Sequence, residues 1–149
     1  HLDSKEQLEY INELVKKYNL FYVEDAFDEE YFSDFKKLRE KTRDCLIVGD
    51  DLTTSNLQRF VKALRSKAID AIILKPNQIG SLIEISKIAK LAKKLNIKTI
   101  MSHRSGETTE SILADLAFGF QTDFVKFGIK GKEREVKLRR LVEIEKSLG

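Results

Sequence analysis

The stretch Ala71-Ile-Ile-Leu-Lys-Pro-Asn-Gln-Ile-Gly-Ser-Leu-Ile-Glu-Ile-Ser-Lys-Ile-Ala-Lys-Leu-Ala-Lys-Lys-Leu95 decides the fold class. It opens on an unbroken apolar run, Ala71 to Leu74, as expected of a parallel strand covered on both faces. From Ile79 to Leu95 the pattern changes period: Leu82, Ile85, Ile88, Ala89 and Ala92 fall at helical spacing. Pro76, the only proline, comes straight after the strand, where a missing N–H costs little. This is one strand–helix unit.

The same unit recurs on either side. Upstream, Leu20 to Val23 leads into the amphipathic stretch Tyr31 to Arg43, and Cys45 to Val48 leads into Leu57 to Lys67. Downstream, Ile97 to Met101 precedes Glu107 to Phe118, and Phe124-Val125 precedes Lys132 to Leu148. A helix from Ser4 to Tyr18 leads the chain, with Ser4 as its expected cap and Gln7 three residues on. Five alternations with short connections spell an α/β fold with a parallel sheet. A closed (β/α)8 barrel needs eight strands and about 250 residues. With five strands in 149 residues, a barrel reading makes this chain incomplete, and the leading helix becomes the second half of a unit whose strand lies upstream.

Polar residues close each strand: Glu24-Asp25, Asp50-Asp51, Lys75, Ser102-His103-Arg104 and Lys126. In parallel α/β folds, loops at the carboxyl ends of strands converge over one face, where chemistry collects. Five ionic strand endings in succession are hard to explain as solvated edges, although any one alone is unremarkable.

Composition narrows the function classes. Apolar residues make up 42%, enough for a core, and charged residues 34%, with a formal net charge of only +3. No basic stretch alternates with aromatics, so nucleic acid is not an expected partner. No apolar run is long enough for a membrane span. Cys45 is the sole cysteine and heads an apolar run; it reads as a small buried hydrophobe in a reducing cytoplasm.

Four segments carry a family resemblance. Tyr22-Val-Glu-Asp-Ala-Phe27, Val48-Gly-Asp-Asp-Leu-Thr53, Leu74-Lys-Pro-Asn-Gln-Ile-Gly80 and above all Ser102-His-Arg-Ser-Gly-Glu-Thr108 resemble the enolase motifs, in the family's order and spacing. The resemblance runs over the whole chain and implies that residues 1–149 are the C-terminal portion of a TIM-type barrel domain. The Lys-Pro-Asn-Gln form is similar to archaeal members. The implied activity is that of a lyase interconverting 2-phosphoglycerate and phosphoenolpyruvate plus water, through a magnesium-stabilised enolate. The resemblance makes Glu24 and Asp50 two of three carboxylate ligands to Mg²⁺, a hard cation that favours oxygen donors, with Asp25 and Asp51 as second candidates. It makes Lys75 the base at carbon 2 and Lys126 the cation that holds the substrate carboxylate and favours a neutral Lys75. Arg104 and Ser105 then bind the phosphate, Ser102 and Asp50 also contact substrate, and His103 binds substrate and acts near the departing hydroxyl. Ser105-Gly106 is expected to open a helix and add free N–H groups to that anion site. Asn77 and Gln78 are expected to shape the loop after the base, without direct chemistry.

The third metal carboxylate, the general acid and the lid loops are expected upstream, so the chain alone is expected to be inactive; a homo-oligomeric parent is implied by the family only. Ala26 and Phe127 stand where the family has proline and threonine, and Gly128 to Arg134 is unusually basic. Two other readings remain open from the residues: an enolase-like scaffold binding an anion or partner without catalysis, and a Schiff-base aldolase using Lys75 or Lys126.

Overall fold

The computed structural model describes residues 2–149; His1, to which the sequence assigns no role, lies outside them. The strands are β1 Tyr22–Glu24, β2 Leu46–Gly49, β3 Ala71–Leu74, β4 Lys98–Ser102 and β5 Phe124–Lys126. The helices are α1 Ser4–Tyr18, α2 Phe32–Lys41, α3 Leu57–Arg65, α4 Pro76–Ile79, α5 Leu82–Lys94, α6 Ile112–Gly119 and α7 Lys132–Ser147. All neighbouring strands pair in parallel, in strict chain order β1-β2-β3-β4-β5.

Five parallel strands laid flat would separate β1 from β5 by about 19 Å, at about 4.8 Å per neighbour. Instead the rings of Phe21 and Phe124, beside and within those outer strands, meet edge to face with centroids 5.9 Å apart. The sheet is therefore curled, and the chain is an incomplete TIM-type barrel. Side chains on its two faces have different partners. Ile72 and Leu74 of β3 join the main core beneath the helices, with Phe35, Leu38, Phe60, Ile85 and Ile88 fully buried around them. Ala71 and Ile73 point the other way and pack with Val48 and Ile100 in a cluster supplied by strand residues alone. Each fully buried aliphatic or aromatic side chain contributes about 1.5–3 kcal/mol, so the helix-covered face dominates stability.

At the amino ends of the strands, two aspartates bind neighbouring backbone. Asp70, just before β3, accepts from the Ile47 amide at 3.1 Å, and Asp123, just before β5, accepts from the Thr99 amide at 2.9 Å. Lys98 also donates to Asp123 at 2.8 Å. These contacts lock register at the end of the sheet remote from the polar strand endings.

Several boundaries differ from the sequence expectation. The cap of α1 is Asp3, one residue before Ser4; its carboxylate accepts from the Lys5 and Glu6 amides, and Glu6 reciprocates to form a capping box. The long helix expected from Ile79 is broken, because Gly80 takes a left-handed φ of 72° and Ser81 caps α5 anew. Pro76 occupies the first turn of the short α4, where its missing N–H is harmless. The helix expected from Glu107 begins only at Ile112, so Ser105-Gly106 forms a turn in the loop and supplies no helix N-terminus. Finally, β5 is exposed along its length rather than covered on both faces. The two family departures, Ala26 and Phe127, are both buried in the main core.

Candidate active site at the carboxyl ends of the strands

Strand geometry sets the positions. Glu24, Ser102 and Lys126 are the last residues of β1, β4 and β5, whereas Asp50 and Lys75 directly follow β2 and β3. Because the strands are parallel and in register, all five emerge at one end of the sheet, and the curl turns them toward each other.

Two ion pairs result. Lys75 Nζ lies 2.7 Å from Asp50 Oδ1, with both side chains largely buried. Lys126 Nζ lies 2.6 Å and 2.8 Å from the two oxygens of Glu24. The Glu24 and Asp50 carboxyl groups are themselves close enough to interact directly. Their environments push them apart. Burial drives the Glu24 carboxyl up, but hydrogen bonds from Lys126 and from Tyr22, whose hydroxyl donates at 2.6 Å, outweigh burial and hold it below the usual range. Burial likewise drives Asp50 up, and there Lys75 does not fully offset it with Glu24 adding repulsion. The Tyr22 hydroxyl is a donor that Glu24 has and Asp50 lacks. Burial, then the hydrogen bond to Glu24, raises the Tyr22 phenol well above its ordinary range.

Asp25, Asp50 and Asp51 bring carboxylate oxygens within 4.8 Å of one another, an arrangement that could hold a metal ion. Asp25 has another commitment: its two oxygens accept from the Asp50 amide at 3.0 Å and the Asp51 amide at 2.6 Å. It takes a left-handed φ of 43°, tolerable for aspartate, and burial followed by repulsion from Asp50 and Asp51 raises its carboxyl despite those amides. Asp25 thus ties the β1 end to the loop that carries Asp50.

Lys75 is held from behind. Its amide donates to the Ser55 hydroxyl at 2.8 Å, and that hydroxyl lies 3.1 Å from Gln78 Oε1. Gln78, which lies in the short helix α4, thus joins the contacts behind Lys75. Ser102 is buried, with its hydroxyl donating to the His103 carbonyl at 3.0 Å. The His103 ring meets the Arg134 guanidinium, 3.1 Å from Nε2, and a guanidinium can only donate. Arg104 and Ser105 are exposed and their side chains form no hydrogen bond among the described residues. The structure therefore unites Glu24, Asp50, Lys75 and Lys126 directly, and places the His103 to Ser105 loop beside them through the His103 amide, which donates to the Lys126 carbonyl at 3.1 Å.

Tyr22, Ser55, Glu107, Arg134 and Lys137 were not singled out by sequence. For Tyr22 the signal was its position two residues before Glu24, on the same face of a strand. Glu107 lies within the Ser102 to Thr108 motif and accepts from an amide three residues back, whereas Ser55, Arg134 and Lys137 act across distant segments and left no local signature. Pockets in this region include one of about 420 Å³, lined by Phe21, Tyr22, Glu24, Ile100, Phe124, Val125 and Lys126 on the inner face of the sheet. Among the described residues no helix is long and apolar enough to cross a membrane.

Fold and site together define a sector of a parallel (β/α)8 barrel whose ionic cluster sits at the carboxyl ends of its strands. Residues 1–149 match the family described as "Enolase, C-terminal TIM barrel domain". The chain belongs to the enolase family. Curated relatives include archaeal ones. The chain is 43% identical to "Enolase" of Pyrobaculum aerophilum over 147 residues, which is 99% of this chain and 35% of that protein. It is 43% identical to "Enolase" of Sulfurisphaera tokodaii over 149 residues, covering 99% of this chain and 36% of the relative. Against "Enolase" of Methanocorpusculum labreanum the identity is 44% over 144 residues, covering 95% and 36%. The chain thus spans about a third of the length of the curated relatives it matches.

Proposed function

We propose that this chain supplies the base, two metal carboxylates and the anion-binding loop of an enolase that interconverts 2-phosphoglycerate with phosphoenolpyruvate and water. The observation that carries the reading is the convergence of two carboxylates and two lysines from four strand ends into adjoining ion pairs.

The donor set suits magnesium. Glu24 and Asp50 offer hard oxygen donors, each now paired with a lysine ammonium whose place a divalent cation would take. Magnesium there would stabilise negative charge developing on the substrate carboxylate. Lys75 is the base at carbon 2. To act there it must leave its ion pair with Asp50, and Lys126, released from Glu24, then faces the substrate carboxylate. Arg104 and Ser105, exposed and uncommitted, are free to take the phosphate, and Ser102 supports them from within the strand. His103 lies beside the departing hydroxyl. A third carboxylate and a general acid would have to come from outside residues 1–149, so we expect no turnover from these 149 residues alone. We assign the protein to the cytoplasm and the parent to a homo-oligomer, on the family alone.

The test uses the full-length protein with magnesium. Lys75→Ala is expected to abolish exchange of the carbon 2 proton of 2-phosphoglycerate with solvent while calorimetry still finds magnesium-dependent substrate binding. Exchange retained in that variant would overturn the role of Lys75.

A further inference from the structure

We infer that Lys137 of α7 is a positioning residue for the anion-binding loop, acting through Glu107; the inference rests on the proposed role of Arg104 and Ser105. Residues 103–111 join β4 to α6 without secondary structure, and Arg104, Ser105 and Gly106 are exposed. Such a loop needs an anchor if its guanidinium and hydroxyl are to meet a phosphate in one geometry.

The anchor is buried. Lys137 is 0% exposed, and lysine is almost never found so deep without a partner. Its ammonium has three protons and three acceptors: Glu107 Oε2 at 3.0 Å, the Thr108 carbonyl at 2.9 Å and the Glu133 carbonyl at 2.8 Å. Two of the three lie in the loop, and the third is one turn back on α7. The other oxygen of Glu107, Oε1, accepts from the Arg104 amide at 3.1 Å. A continuous line therefore runs from α7 through Lys137 and Glu107 to the backbone of Arg104.

A buried ion pair adds little net stability over an apolar pair, so what this one contributes is the conformation it specifies. Here that conformation is the path of residues 104–108. Neither Lys137 nor Glu107 needs to touch substrate. Loss of the strut weakens a contact made to the phosphate in ground state and transition state alike, and uniform binding of this kind appears in KM rather than kcat.

Lys137→Met, which keeps the buried stem, is introduced into the full-length protein. We expect KM and the calorimetric Kd for 2-phosphoglycerate to rise about tenfold, as for supporting-shell losses. We expect kcat to stay within about threefold and magnesium affinity to be unchanged. A purely structural role would instead lower the active fraction, cutting kcat at native KM, and that outcome overturns the inference. Should Lys137→Met fail to fold, Glu107→Gln replaces it: an amide has one acceptor oxygen for two donors, so the same KM rise is expected, and a native KM overturns the proposal. Lys75→Ala separates the two levels. If it retains carbon 2 exchange, the functional reading has failed; if it loses exchange while the Lys137 and Glu107 variants bind normally, only the strut has.

Discussion

Lys126 Nζ lies 2.6 Å from Glu24 Oε1, although the two residues stand 102 positions apart in the chain. They end the two outermost strands of the sheet, so their contact measures how far it has curled. The same contact joins a candidate metal ligand to a candidate substrate-binding cation. Fold and site are therefore one geometric fact, and each substitution below probes a residue that maintains it.

Asp25 gives the cleanest test of loop placement. Asp25→Asn preserves the left-handed backbone, which asparagine tolerates, but leaves one acceptor oxygen for the Asp50 and Asp51 amides. Magnesium binding to the full-length protein, followed by calorimetry, is expected to weaken about tenfold, the usual scale for a group that orients a ligand. An unchanged affinity would show that the Asp50 loop holds itself.

Gly128 tests how closely the β5–α7 connection approaches His103. Its φ is 71°, and a Cβ there would stand 3.0 Å from Arg134 Cδ and 3.4 Å from His103 Cε1. Gly128→Ala is expected to cost about 1–2 kcal/mol from the left-handed backbone alone. Urea unfolding measures that cost, and a lowered kcat would accompany displacement of the imidazole.

Asp123 carries a pH-dependent share of stability. Burial pushes its carboxyl up, but Lys98 and the Thr99 amide outweigh burial and hold it below the ordinary carboxylate range. A depressed carboxyl stabilises the fold above its unfolded value, about 3.9, and loses that contribution as pH falls through the lower folded value. Asp123→Asn is thus expected to destabilise by about 1–2 kcal/mol at pH 7. The gap from the parent should shrink in urea titrations taken below about pH 4; a constant gap would assign the effect to packing instead.

Much of this was legible in the sequence because the signals are local. Apolar runs such as Ala71 to Leu74 and the helical spacing of Leu82 to Ala92 depend only on chain period, and they placed every strand to within about two residues. The misplaced helix starts came from competing local signals: Gly80 interrupts a continuous apolar rhythm, and Ser105-Gly106 resembles a cap without becoming one.

By itself the sequence determined a parallel strand–helix alternation, an ionic residue at the end of each strand, and membership of one family through four spaced motifs. Tertiary structure alone decided which ionic residues pair. Whether Asp50 meets Lys75 or Lys126, whether Asp25 faces outward or braces two amides, and whether Lys137 of the last helix reaches Glu107 all depend on the curl of the sheet and the packing of α7 on the β4–α6 loop. The physical reason is that periodicity records burial along one segment, whereas charge pairing records distance between segments, and those distances are set only once the sheet has curled.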